Sequence, residues 1–287
     1  MRKLGTRLGT SLALLAALSL PASAQASGNA TKSGAIGPHG GTLSLAYSIA
    51  FWGIPFGRTT YEGSFNDTGY SAKSHFETSG IVSVFWQAAI DATANGRIEA
   101  NGLAPNEYDS FYRRGATRKE RVKVSFINGD PTTSADPPYN MTQYPVSEAQ
   151  KRDAIDPMSA VTLIVAGLRA DPANPCGTVA PVFDGRRRYD IAFSYVKDEP
   201  VALANGLFNG RAHLCELHYR QIAGYKPKIL KEGKAFPPMF ADFADIPAPG
   251  SPNGHYVVAV KLWSQLTWGM VTADLTALHA GIGAPKN

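Results

Sequence analysis

Cysteine is nearly absent: the 287-residue sequence holds two, Cys176 and Cys215. That excludes a disulfide-dense scaffold and a cysteine-rich metal centre. Long apolar runs are missing as well. Past the first 24 residues, no stretch offers the ~20 apolar residues that a membrane-crossing helix requires. The strings that announce common chemistries are lacking too, with no G-x-S-x-G and no H-E-x-x-H. The Gly-rich GPHGG has no strand-to-helix setting, so it does not read as a phosphate loop. Excess charge of one sign is small: 28 Lys+Arg against 23 Asp+Glu, a net +5.

Part of that surplus sits at the N-terminus. Arg2, Lys3 and Arg7 precede a short apolar run from Ser11 to Leu20, then Pro21 and Ala22-Ser23-Ala24. This is the pattern of a secretory signal peptide over residues 1–24, cleaved near Ala24. Removing it leaves 25 basic against 23 acidic residues, a net +2, which gives no basis for nucleic-acid binding. An exported, periplasmic location is expected. In an oxidising compartment the two cysteines read most simply as one disulfide, the alternative being two free thiols. Closing a loop of about 40 residues is worth ~3–4 kcal/mol in the chain-entropy model.

What the sequence has in quantity is turn residues, 28 Gly and 20 Pro, and short alternating segments. Residues 25–41 are small, polar and Gly-rich and read as a flexible leader. In TLSLAYSIAF, Leu43, Leu45, Tyr47, Ile49 and Phe51 fall on one face, the period of a half-buried strand. Further strands are expected near 58–65, 70–78, 82–92, 106–114 and 118–127. DPTTSADPPYN then reads as a Pro-rich loop. In DPMSAVTLIVAGLRADP, Asp156 suits a helix N-cap, Pro157 the first helical position and Gly167 the end. Its apolar residues surround the helix, so the helix must be buried. Strands resume near 189–195 and 211–222, FPPMFADFADIPAPGSPNG reads as a loop, and YVVAVKLW with TWGMVTADL as a closing hairpin. The expectation is a mainly β fold: a curved antiparallel sheet forming a half-barrel or open barrel with one buried helix, over residues 42–287 as a single domain.

Candidate site residues are few. VFDGRRRYD places apolar residues on either side of Asp184-Gly185, a hairpin signal. Alternation sends Arg186 and Arg188 to the polar face. Arg187 shares the apolar face with Tyr189, Phe193 and Tyr195. Those four residues are the candidate ligand contacts, with Arg187 receiving an anionic head group. The plainer reading makes two arginines solvated and pairs one with a carboxylate such as Asp184. A second basic hairpin, RRGATRKERVK, is either an edge device against aggregation or a contact for an anionic membrane surface. In HLCELH, His213 and Cys215 share a strand face that His218 does not, so the three cannot converge on a metal. His213 reads as a core-face histidine with a hydrogen-bond partner. Phe51, Trp52, Trp86, Trp263 and Trp268 read as core residues, some of which could line a cavity. No catalytic constellation, cofactor or metal site emerges.

The segments FWGIPFG, TSGIVSVFW, GLAPNEYDSFYRRG, DPMSAV and CGTVAPVFDGRRRYD, in this order, resemble the bacterial exported family catalogued as domain of unknown function 3108, over roughly residues 42–222. The resemblance implies a β-rich envelope protein of a Gram-negative bacterium with no established activity. The fold expectation is similar, by analogy, to the periplasmic lipoprotein carriers. The leading functional expectation is therefore non-enzymatic: binding of an apolar or amphipathic ligand, or a lipidated protein, in the sheet's concavity. The alternative is an envelope interaction protein whose concavity is filled by its own helix. Lipids, lipoproteins and other envelope components are the partner classes.

Overall fold

The computed structural model describes residues 40–282, apart from 100–101, 169–172, 233–235, 250 and 252–253. The expected signal peptide and all but the last two residues of the leader lie outside the described residues. The first half of the sheet is β1 (Gly41–Phe51), β2 (Ile54–Phe65), β3 (Gly69–Thr78), β4 (Ala88–Glu99), β5 (Gly102–Arg114), β6 (Arg118–Ile127) and β7 (Asp130–Asp136). The second half is β8 (Val179–Phe183), β9 (Arg188–Ala202), β10 (Asn209–Ala223), β11 (Met239–Pro247), β12 (His255–Leu266) and β13 (Gly269–Gly281). The helices are α1 (Val82–Phe85), α2 (Glu148–Lys151), α3 (Pro157–Val165) and α4 (Pro227–Glu232).

All 13 strands form one antiparallel sheet in the order β7-β6-β5-β4-β3-β2-β1-β13-β12-β11-β10-β9-β8. A twisted sheet this wide rarely stays open; here it curls to bury one face. Register shifts at Ala46/Tyr47, Asn95/Gly96, Leu214/Cys215 and Asp242/Phe243 supply the bends, since each extra residue kinks its strand and increases its twist. The buried face carries the alternating residues that the sequence shows, Leu43 and Leu45 on β1 among them, with Phe65, Tyr70, Val124, Val182 and Val258.

Helix α3 lies against this face, touching β3, β4, β5, β8 and β12. Asp156 caps it by accepting the Ser159 N–H at 2.8 Å, and Pro157 occupies its first turn, where a missing N–H costs nothing. Gly167, at φ +69°, ends it by turning left-handed, a conformation that glycine adopts without strain. Of its nine residues only Val161 is exposed. Its polar residues are matched to the wall: the Tyr61 hydroxyl donates to Thr162 Oγ1 at 3.2 Å, Tyr70 and Ser159 share a hydrogen bond of 2.5 Å, and Ser74 donates to Met158 Sδ at 3.2 Å.

Three expectations are corrected. Val82–Phe85 is the single turn α1 rather than the start of a strand, and β4 begins at Ala88. The β-branched residues that suggested a strand there have no sheet face to meet, and none is buried. DPTTSAD forms the edge strand β7, where proline is tolerated because one side of the strand needs no ladder partner. Met239–Pro247, read as part of a loop, is the interior strand β11; its prolines fall at the strand end or outside it.

Candidate functional site

The sheet's two edges, β7 and β8, do not pair with each other. The β8–β9 turn instead tucks against the inner face of β6 and β7. A Cβ placed on Gly185, at φ +90°, would lie 2.8 Å from Val122 Cγ1 and 3.0 Å from Thr133 Cγ2, so only glycine allows this approach. Ile155, just before α3, covers the free edge of β8: its N–H donates to the Pro181 carbonyl at 2.8 Å and its carbonyl accepts from the Phe183 N–H at 2.9 Å. The seam is therefore closed by packing and by one short parallel bridge.

The arginine trio sits on this seam. Arg186 lies over the Tyr139 ring at 5.2 Å and Arg187 over the Tyr225 ring at 5.5 Å. Arg188 donates to the Gln150 carbonyl at 3.0 Å and to Asp190 at 2.5 Å, and Arg220 holds the other oxygen of Asp190. Burial alone would raise the Asp190 carboxyl, but hydrogen bonds from Arg188 and Arg220 hold it below the ordinary aspartate range. Each arginine thus ties the turn to a different neighbour: the chain after β7, α2, or the chain after β10. The expected assignment is corrected in detail. Arg188, not Arg187, is the enclosed and ion-paired member, and Asp184 accepts the backbone N–H groups of Arg186 and Arg187 at 2.9 and 2.6 Å. Arg187 belongs to the four-residue turn before β9, where the alternation that assigned it to the inner face does not apply.

The candidate ligand contacts do not converge. Arg187 is exposed; Tyr189 packs on Tyr219 at 4.7 Å between ring centroids; Phe193 meets Phe243 edge-on at 5.2 Å. Tyr195 is exposed and donates to Asp198 at 3.1 Å. Cys176 and Cys215 are bonded and form the centre of a second buried cluster with Ala241, Phe243 and Val257. His213 is half-exposed rather than in the core, 2.6 Å from Asp198. No group of three His, Cys, Asp or Glu among the described residues is placed to hold a metal. Ser194 lies 2.7 Å from His218, but among the described residues no carboxylate orients that imidazole on this exposed strand pair.

The clefts of the described residues are open and mix charged with apolar side chains. One of about 490 Å³ is bounded by Arg97, Glu99, Asp130, Arg152 and Asp153. Another, of about 600 Å³, brings Glu199 and Asp242 together beside Lys261 and Asp274. Asp242 is pushed up to about 6 by burial and then by Glu199, so the two carboxyls hold one proton only once the pH falls below about 6. Sequence reasoning missed this pair because Asp242 lay in the stretch taken for a loop. The tryptophans are also not where a core reading put them: Trp52 and Trp268 are 69% and 75% exposed.

These features define an open, barrel-like antiparallel β protein whose hollow holds its own helix. The chain belongs to the family described as Protein of unknown function (DUF3108), which matches residues 45–276. That match extends beyond the segments named above, through β11 and β12 into β13. No curated protein matches the chain. Among solved structures it is similar to a beta-barrel-like protein of domain of unknown function DUF1849 from Brucella abortus, at 12% identity and a TM-score of 0.48, covering 84% of this chain and 98% of that one.

Proposed function

We propose that the protein is a non-enzymatic component of the cell envelope, exported to the periplasm, that acts through its outer surface while α3 permanently fills its hollow. The supporting observation is the fit of that helix. Met158, Ala160, Leu163 and Val165 are buried against the sheet, and the helix hydroxyls are bonded to sheet tyrosines. A ligand entering the hollow would have to displace both the apolar contacts and these hydrogen bonds. The clefts that remain are open grooves on the surface that carry charged side chains, unlike the enclosed apolar cavities that hold hydrophobic ligands. Native mass spectrometry of the protein purified from the periplasm, with titration of a hydrophobic dye, tests this reading. No stoichiometric lipid and no saturable dye binding are expected. A co-purifying lipid that the dye displaces would overturn it in favour of a carrier.

A further inference from the structure

The connections at one end of the sheet differ from those at the other. At the end where β1 finishes lie the β1–β2, β3–β4, β5–β6, β8–β9, β10–β11 and β12–β13 connections. There Trp52, Ile81, Val84, Phe85, Trp86 and Trp268 are all exposed, Phe85 at 86% and Val84 at 73%. They lie on a rim of three connections that follow one another along the sheet, β3–β4, β1–β2 and β12–β13. The Trp52 N–H donates to the Met270 carbonyl at 3.0 Å, and its indole lies on Gly269, where a Cβ would fall 2.3 Å from the indole nitrogen. The Ser79 N–H donates to the Phe56 carbonyl at 2.8 Å, and the Gly115 N–H to the Gln87 carbonyl at 2.9 Å. Helix α1 thus projects from the rim between two anchored ends, with none of its residues buried.

Positive charge surrounds these side chains. Arg113 and Arg118 are paired with Asp91 and Glu120. Arg114, stacked 5.9 Å over Trp86, and Lys119 have no carboxylate partner among the described residues. Lys226 and Lys228, also without such a partner among the described residues, lie on the β10–β11 connection at the same end. The opposite end has polar turns, Asn66–Thr68 and Asn128–Gly129, and its exposed Ile127, Leu207 and Ile282 stand singly.

From this juxtaposition of protruding aromatic and aliphatic side chains with unpaired cations, we propose that this rim docks on the surface of a lipid bilayer rich in anionic headgroups. Charge complementarity selects the occupant: indoles and Phe85 enter the interfacial layer, where amphipathic rings are favoured, while Arg114 and Lys119 meet lipid phosphates. The bound protein would be peripheral, as no helix among the described residues is long and apolar enough to cross a membrane. The proposal rests on the reading of a protein that works by its surface, but the two fail separately: dye and lipid occupancy test the hollow, vesicles test the rim.

The test is flotation of the protein purified from the periplasm with vesicles of phosphatidylglycerol and phosphatidylethanolamine, and with neutral phosphatidylcholine vesicles. The triple variant Val84→Ser, Phe85→Ser, Trp268→Ser is compared with an opposite-end control, Ile127→Ser with Leu207→Ser. Thermal melts verify that both stay folded, since exposed substitutions change stability little. Wild type and control should bind the anionic vesicles, and the triple variant at least about tenfold more weakly. The rim assignment is overturned if wild type fails to bind, or if the triple variant binds as wild type does. It is equally overturned if neutral and anionic vesicles bind alike, or if the rim instead joins two copies of the chain, seen as a dimer that the variant dissociates.

Discussion

Replacing Asp156 with asparagine should flatten part of the pH dependence of stability. Asp156 is fully buried, caps α3, and accepts hydrogen bonds from the Ser159 backbone and hydroxyl. Burial raises its carboxyl from 3.8 to about 6. Folded protein therefore keeps a proton that the unfolded chain gives up near pH 4. Its contribution is fully present below pH 3.8 and is lost as the pH climbs through 6. Two units correspond to about 3 kcal/mol. Asparagine keeps the capping oxygen, since Asn and Asp cap comparably well, but it does not titrate. Urea unfolding at several values between pH 4 and pH 7.5 measures the effect. The wild type should lose about 3 kcal/mol relative to Asp156→Asn over that range, equivalent to ~6–12 °C in Tm for a domain of this size. Asp242, also raised to about 6, is common to both proteins and cancels. Parallel pH profiles would refute the buried, proton-holding cap.

Cys176→Ser should lower the melting temperature by the equivalent of ~3–4 kcal/mol under oxidising conditions and hardly at all in reductant, and equal losses in both would count against the bridge. Gly224→Ala should destabilise by ~1–3 kcal/mol in denaturant titrations, because its φ is +85° and a Cβ would lie 2.4 Å from the Arg186 carbonyl oxygen. Asp190→Ala should cost ~3–5 kcal/mol by leaving the enclosed Arg188 without its carboxylate, and a loss under ~1 kcal/mol would show that the seam does not depend on that pair. Because the wild-type Asp190 carboxyl sits below its ordinary range, the wild-type advantage should hold at neutral pH and fade as pH falls below about 4.

The sequence displays most strongly what depends on short-range periodicity and chain-end chemistry. The alternation of Leu43, Leu45 and Tyr47 gives β1, and Asp156-Pro157 with Gly167 gives both ends of α3. Apolar residues on nearly every side of α3 also imply that it is enclosed. Features that depend on distant partners were not legible. Nothing in DPTTSAD marks it as a strand until β6 stands beside it, and nothing around Asp242 says that Glu199 will be its neighbour. Alternation holds within β9, but Arg187 lies in the turn at Asp184–Arg187, before the strand begins, so alternation does not place it. The tryptophans were misread for a related reason. An indole at a hairpin tip looks like an indole at a strand end until the turn is located.

The pairing of β1 with β13 has a further implication. The first and last strands of the sheet are neighbours along ten register positions, from Thr42 opposite Gly281 to Phe51 opposite Val271. A chain emerging N-terminus first must hold β1 with one bare side until β13 arrives. Such a far-separated contact costs loop entropy before it returns anything, so assembly should be slow and should finish only once β13 has emerged. In that interval β1 is an open strand edge, and a molecular escort that shields such edges would be the natural companion of this protein during its maturation.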